Sequence, residues 1–213
     1  AFVKNTSEGI SFAASGLIWN EGDNVVLNSL EFPANVFPWL NLRLRGVETR
    51  FVADREGRID PNDIRAAIDE RTRVVAMSHI QFGNGYRCDI ESVGAICREK
   101  GVWFVVDAIQ SLGQINVDLA QTPVDVVTGA SYKWLMAPGG AGGFYCSPEL
   151  MEHLHPHEVG CGAMADSGAY DDYTFELAPD ARRFECGTPN TFGICGLAAA
   201  LELFIEVGMD TVE

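Results

Sequence analysis

The sequence predicts a three-layer α/β/α domain built around a mostly parallel sheet. Two observations carry the prediction. Short apolar runs of strand type alternate along the chain with helical stretches of about a dozen residues, the pattern of βαβ units. The run Val102-Trp103-Phe104-Val105-Val106 is apolar throughout, as a strand covered on both faces must be. A third observation bounds the answer. The 213 residues are 47% hydrophobic and 21% charged, with no internal repeat and no low-complexity linker, which fits a substantial folded core.

The elements follow in order. Residues 6–19 carry small and apolar side chains at helical spacing, and Asn5 with Glu8 can form a capping box before them. Residues 25–27 read as a strand, 34–44 as a helix despite Pro38, and 47–53 as a second strand. Asp60-Pro61 starts a helix, with an N-cap carboxylate, proline at the first helical position and Asp63 in the first turn. Residues 73–80 form a strand buried on both faces, and a helix over 90–100 stops at Gly101. Strands are predicted at 102–106, 124–128 and 143–146. Residues 160–179, rich in Gly, Ala, Asp and Tyr and including Asp171-Asp172, read as solvated loop. A long helix spans 190–207, with Leu201 and Phe204 as core positions.

Charge excludes some functions. A net charge of −15 disfavours binding to nucleic acid or to anionic membranes, which are themselves polyanions. No apolar run reaches membrane-spanning length. The six cysteines form no Cys-x-x-Cys pair and read as free thiols in a reducing compartment, the cytoplasm. His153, His155 and His157 lack the acid or cysteine cluster of a metal site and read as surface loop, so no metal is expected. Arg182-Arg183 reads as a subunit-contact or solvated pair. Ala1-Phe2-Val3-Lys4 does not read as a natural start, so the chain is expected to be the middle of a longer one.

In parallel sheets ligands bind at the carboxyl ends of strands, so the residues just beyond them carry the functional signal. Lys133 is one of only three lysines and stands among Tyr132, Trp134, Leu135 and Met136. It is either a snorkelling lysine at an element end or a desolvated amine able to form a Schiff base with an aldehyde. Asp107 ends the strand over 102–106, with Gln110 three residues on; it is either a helix N-cap or a carboxylate facing a ligand. Lys133 lies 26 residues after Asp107, room for one crossover and a return to the same sheet edge. Thr6 and Ser7 open a helix, where free N–H groups and the helix dipole suit a phosphate.

Taken together, these residues resemble the class V aminotransferase family of pyridoxal-phosphate (PLP) enzymes, which includes cysteine desulfurases, selenocysteine lyases, kynureninases and isopenicillin N epimerase. Asn5-Thr6-Ser7-Glu8-Gly9 is similar to the family's phosphate-binding helix start, and Glu31-Phe32-Pro33-Ala34-Asn35 to the segment that stacks a ring on the cofactor. Val106 to Gln110 resembles the strand end whose aspartate keeps the pyridine nitrogen protonated. Ser131-Tyr132-Lys133-Trp134 resembles the Schiff-base segment, Gly139 to Tyr145 the glycine-rich turn and antiparallel strand after it, and Phe184 to Asn190 the segment that reaches a phosphate in a partner subunit. The resemblance implies PLP as cofactor, Lys133 and Asp107 as catalytic residues, and Thr6, Ser7, Phe32, Gln110, Tyr132 and, from a partner, Thr188 as cofactor contacts. It further implies an amino-acid substrate and a homodimer.

Residues 1–189 are then the PLP-binding large domain, incomplete at its start, and 190–213 a helix leading to a small C-terminal domain beyond this sequence. There are departures from the desulfurase branch: Phe32 and Tyr132 stand where that branch has histidines, and Phe82, beside Gln81, stands where it has an asparagine near the cofactor oxygen. These changes favour a transaminase-like or epimerase-like member. Its rivals are a cysteine desulfurase or selenocysteine lyase, and a non-catalytic fragment of the same fold. A nucleotide-binding doubly wound protein is disfavoured, because no Gly-x-Gly-x-x-Gly and no Gly-Lys-Ser/Thr loop occurs.

Overall fold

A computed structural model describes residues 1–169, 171 and 173–213; Asp172 of the expected loop lies outside the described residues. Six strands form one sheet: β1 (Asn24–Asn28), β2 (Glu48–Val52), β3 (Thr72–Ser78), β4 (Trp103–Asp107), β5 (Val126–Ala130) and β6 (Gly142–Cys146), in the order β2-β1-β3-β4-β5-β6. All neighbours are parallel except β5 and β6, which pair antiparallel. The helices are α1 (Thr6–Gly16), α2 (Phe37–Leu40), α3 (Pro61–Ala67), α4 (Ile90–Lys100), α5 (Pro148–Met151), α6 (Thr191–Val207) and α7 (Met209–Val212).

Alternation along the strands builds two cores. Val25, Leu27, Val74, Ala76, Val105 and Val126 face one layer, with Ile10, Phe12 and Trp39. Val26, Val75, Met77, Phe104, Val106 and Val127 face the other, with Ile64, Ile90 and Val93. The expected three-layer arrangement is present, and so is the antiparallel strand.

The local signals hold where they are local. Asn5 caps α1 by accepting from Glu8 N (3.0 Å), although the Glu8 carboxylate reaches the N–H of Lys4 rather than that of Asn5. Asp60 caps α3, and Gly101, with φ 67°, ends α4 in the left-handed conformation. Three expectations need correction. The single helix over 34–44 is instead the 3₁₀ turn Pro33–Asn35, the short α2 and a second 3₁₀ turn, Asn41–Arg45; Pro38 tolerates only a helix start. The strand over 124–128 runs two residues later, because Val124 closes a turn on Thr122 O. Phe204 is buried, but Leu201 is 40% exposed. Arg182 pairs with Asp180, and Arg183 donates to the carbonyls of Ala178 and Met151. All six cysteines are free thiols.

One close approach places α1. A side chain at Gly9 would put a Cβ 2.0 Å from Thr128 Oγ1, so only glycine lets the helix lie directly on β5. Gly9→Ala is expected to lower stability by about 1–3 kcal/mol through overpacking against a stiff β-branched neighbour, read as a fall in the urea midpoint. An unchanged midpoint would mean that the contact yields freely.

Candidate active site

The carboxyl ends of β1, β3, β4 and β5 converge. Ser78 and Asp107 are register partners, as are Asp107 and Thr128. Asp107 is 2% exposed; its Oδ1 accepts from Ile109 N (2.9 Å), and its Oδ2 has no partner. Burial pushes its carboxyl up to about 7; the Ile109 N–H opposes the rise, the Glu31 charge adds to it, and Lys133 pulls the other way. That influence of Lys133 brings the two expected catalytic residues into one electrostatic site.

Lys133 sits in the connection between β5 and β6. Ser131 shapes this loop: its hydroxyl donates to Pro138 O (2.7 Å) and Ala141 O (2.8 Å), and its carbonyl accepts from Ala137 N (3.1 Å). Met136 takes a left-handed φ of 53° to close it. The sequence left open whether this lysine snorkels or is desolvated among its apolar neighbours. Of those neighbours Tyr132 is 52% and Trp134 47% exposed, while Leu135 and Lys133 itself are half-buried. The apolar cover comes instead from Phe32, whose ring centre is 5.7 Å from Lys133 Nζ. Phe32 in turn meets Phe82 edge-on at 5.0 Å, so the two rings form one apolar wall.

Phe32 is held by a network that sequence reasoning missed. The adjacent Glu31 is buried and accepts five hydrogen bonds. Its Oε1 takes Asn28 Nδ2, Ser78 N (2.7 Å) and Gln81 Nε2 (3.0 Å), and its Oε2 takes Asn35 Nδ2 (2.9 Å) and Ser78 Oγ (2.6 Å). The available signal was a carboxylate set directly before the expected stacking ring at a strand end. His79, also not anticipated, is buried with neither ring nitrogen partnered; burial holds it down to about 4, so it is neutral at pH 7.

At the start of α1, Thr6 is buried and its hydroxyl oxygen accepts from Ala130 N (3.2 Å), tying the helix start to the end of β5. The main-chain N–H groups of Thr6 and Ser7 have no partner among the described residues. This leaves a helix start with free N–H groups, of the kind that suits an anion, beside the strand that leads to Lys133. Thr188 lines a cavity of about 220 Å³ together with Lys4 and Glu8, close to the same helix start. Gln110 accepts through Oε1 from Trp134 Nε1 (3.0 Å). The structure thus gathers Lys133, Asp107, Phe32, Gln110, Thr6 and Ser7 around the strand ends. Among the described residues no hydrogen bond engages the Tyr132 hydroxyl. Among the described residues no His, Cys, Asp and Glu cluster could hold a metal ion.

Comparison with known proteins agrees with this arrangement. The chain is 38% identical over 213 residues to a probable cysteine desulfurase of Methanothermobacter thermautotrophicus, covering all of this chain and 52% of that protein. The structure of a cysteine desulfurase from Thermococcus onnurineus superposes with a TM-score of 0.89 at 31% identity, over 99% of this chain and 52% of that one. A cystine C-S lyase, in a complex with its product cysteine persulfide, superposes with a TM-score of 0.91 at 25% identity, over 98% of this chain and 56% of that one. The chain therefore spans about half the length of the relatives it matches. A model of the Aminotransferase class-V family matches residues 1–213, and the chain belongs to that family.

Proposed function

We propose that this chain is the cofactor-binding part of a PLP-dependent enzyme acting on an amino acid. The observation that carries the reading is the unpartnered, buried Oδ2 of Asp107, electrostatically linked to Lys133. An orphaned buried acceptor is costly unless a donor meets it, and a protonated ring nitrogen is such a donor. The residues fit the rest of the group as well. Lys133 would hold its aldehyde carbon as a Schiff base, and Phe32 would cover one face of the ring. Gln110 would donate to the 3'-oxygen, and the free N–H groups of Thr6 and Ser7 would hold the phosphate. Tyr132 and, from a second subunit, Thr188 would complete the phosphate contacts in a homodimer.

When bound, PLP supplies an electron sink conjugated to the α-carbon of the amino acid. The protein's own contribution is positional and electrostatic. Asp107 would keep a proton on the ring nitrogen. Lys133 Nζ, as a free amine, would be the base that takes a proton from the α-carbon and returns it. Phe32 and Phe82 exclude water from one side and perform no acid–base work of their own. Residues 1–189 form the cofactor domain, and the long helix α6 follows it. The free thiols support a reducing, cytoplasmic setting. Among the described residues no helix is long and apolar enough to cross a membrane.

A second reading, cysteine desulfuration, is favoured by the 38% identity to a probable cysteine desulfurase. Alanine formation from cysteine, with sulfide freed by an added thiol reductant, would support it, and keto-acid-dependent amino transfer the first reading. The cofactor assignment itself is tested by borohydride reduction of the PLP-loaded protein followed by peptide mapping. The reduced adduct is expected on Lys133 and absent in Lys133→Ala. An adduct that persists in that variant would overturn the assignment.

A further inference from the structure

Among the described residues the Gln110 side chain has one hydrogen-bond partner, and that partner fixes which way its amide faces. An indole N–H can only donate, so the group that Trp134 meets at 3.0 Å is the carboxamide oxygen. The amide nitrogen, with two N–H donors, has no hydrogen-bond partner among the described residues. The contact is braced through the main chain. Gly113 has a φ of 87°, and a Cβ there would fall 2.6 Å from Trp134 O. The turn that carries Gln110 therefore lies directly against the segment that carries Lys133 and Trp134. Phe82, beside Phe32, offers no polar atom to a ligand oxygen in this region.

We propose that Trp134 is a positioning residue: its indole N–H pins the Gln110 oxygen and turns the Gln110 amide donors toward the 3'-oxygen of the cofactor. This rests on the proposed binding of PLP at Lys133. A single tryptophan then links the lysine segment to the electronic state of the cofactor without touching the cofactor's ring. A free carboxamide can flip and present its oxygen, which would repel the 3'-oxygen. The indole removes that alternative.

The consequence is measurable as a pH midpoint. In the loaded protein a proton is shared between Lys133 Nζ and the 3'-oxygen. A donor to that oxygen helps most after the proton has left, when the oxygen carries its full negative charge. The donor therefore lowers the pH at which the proton leaves, and losing it raises that pH. The experiment titrates the visible absorbance band of the PLP-loaded protein in the wild type, Trp134→Phe, Gln110→Leu and the double variant. Trp134→Phe is expected to raise the midpoint by roughly half to one pH unit, the size of one hydrogen bond. Gln110→Leu should raise it at least as much, and the double variant should match Gln110→Leu alone, since both changes remove one interaction.

A wild-type midpoint in Trp134→Phe, or two shifts that add, would overturn the proposal. Benzothienylalanine at position 134, which keeps the indole shape without its N–H, gives the same decision should the phenylalanine variant fail to fold. A wild type that forms no borohydride-trapped adduct would overturn the cofactor assignment and this proposal together. A wild type that forms the adduct, alongside variants that do not shift, would overturn this proposal alone.

Discussion

Glu31→Ala is expected to lower the stability of the protein by about 3–5 kcal/mol, more than any surface substitution. The reason is the number of donors it would strand. Ser78 gives both its N–H and its hydroxyl to Glu31, and Asn28, Asn35 and Gln81 each give an amide. All four residues are buried, so the lost bonds would not be replaced by water. The disturbance would spread, because Asn35 also accepts from Trp39 Nε1 (3.1 Å), and Trp39 belongs to one of the two cores. Glu31→Gln should cost less. It keeps one acceptor but sets a new amide donor against donors already present. Urea unfolding of both variants checks this, and a loss below about 1 kcal/mol for the alanine variant would show that the network contributes little.

Asp107→Asn is expected to act in the opposite direction when the cofactor is absent. The folded-state carboxyl of Asp107 titrates near 7, above its ordinary value of 3.8. A carboxyl that ionises less readily when folded weakens the fold as soon as the unfolded chain begins to ionise. The penalty is absent below about pH 4, grows as pH rises toward 7 and stays constant above. Asparagine keeps the acceptor for Ile109 N–H and carries no charge. Cofactor-free Asp107→Asn should therefore be more stable than the wild type at pH 8, by on the order of a few kcal/mol, with the advantage fading toward pH 4. Loaded with PLP, the same variant should lose most of its turnover, since nothing would then hold the ring-nitrogen proton. Urea unfolding at pH 5 and 8 without cofactor reads the first effect. An equal loss of stability at both values would contradict it.

These two residues mark how far the sequence could be read. Asp107, Lys133, Thr6 and Ser7 could be singled out as candidates because each sits at the end of an element whose pattern is local: an apolar strand, a capped helix, a glycine-rich turn. The parallel sheet was legible for the same reason. Glu31 was not, since its five donors come from residues 28, 35, 78 and 81, which meet only because β3 lies beside β1. Strand periodicity carries no record of strand order. The same limit hid the contact of Trp134 with Gln110. Leu201 misled because helical spacing marks an apolar face and does not say whether anything covers it. β5 runs past its expected end at residue 128 to include Gly129 and Ala130. The extension is a strand because Gly142 and Gly143 oppose it at close range.

The first residues of the chain belong to the far edge of the sheet. Phe144 N donates to Ala1 O (2.9 Å), Val3 N to Gly142 O (3.2 Å) and Ala130 N to the Thr6 hydroxyl. During synthesis, the segment that would grip a phosphate therefore emerges more than a hundred residues before the strands that hold it in place. Contacts so distant in sequence close late and slowly. A ribosome-bound chain halted between Asp107 and β6 would carry Asp107 without a finished pocket, and cofactor capture would become a sign that the translated chain has passed residue 144.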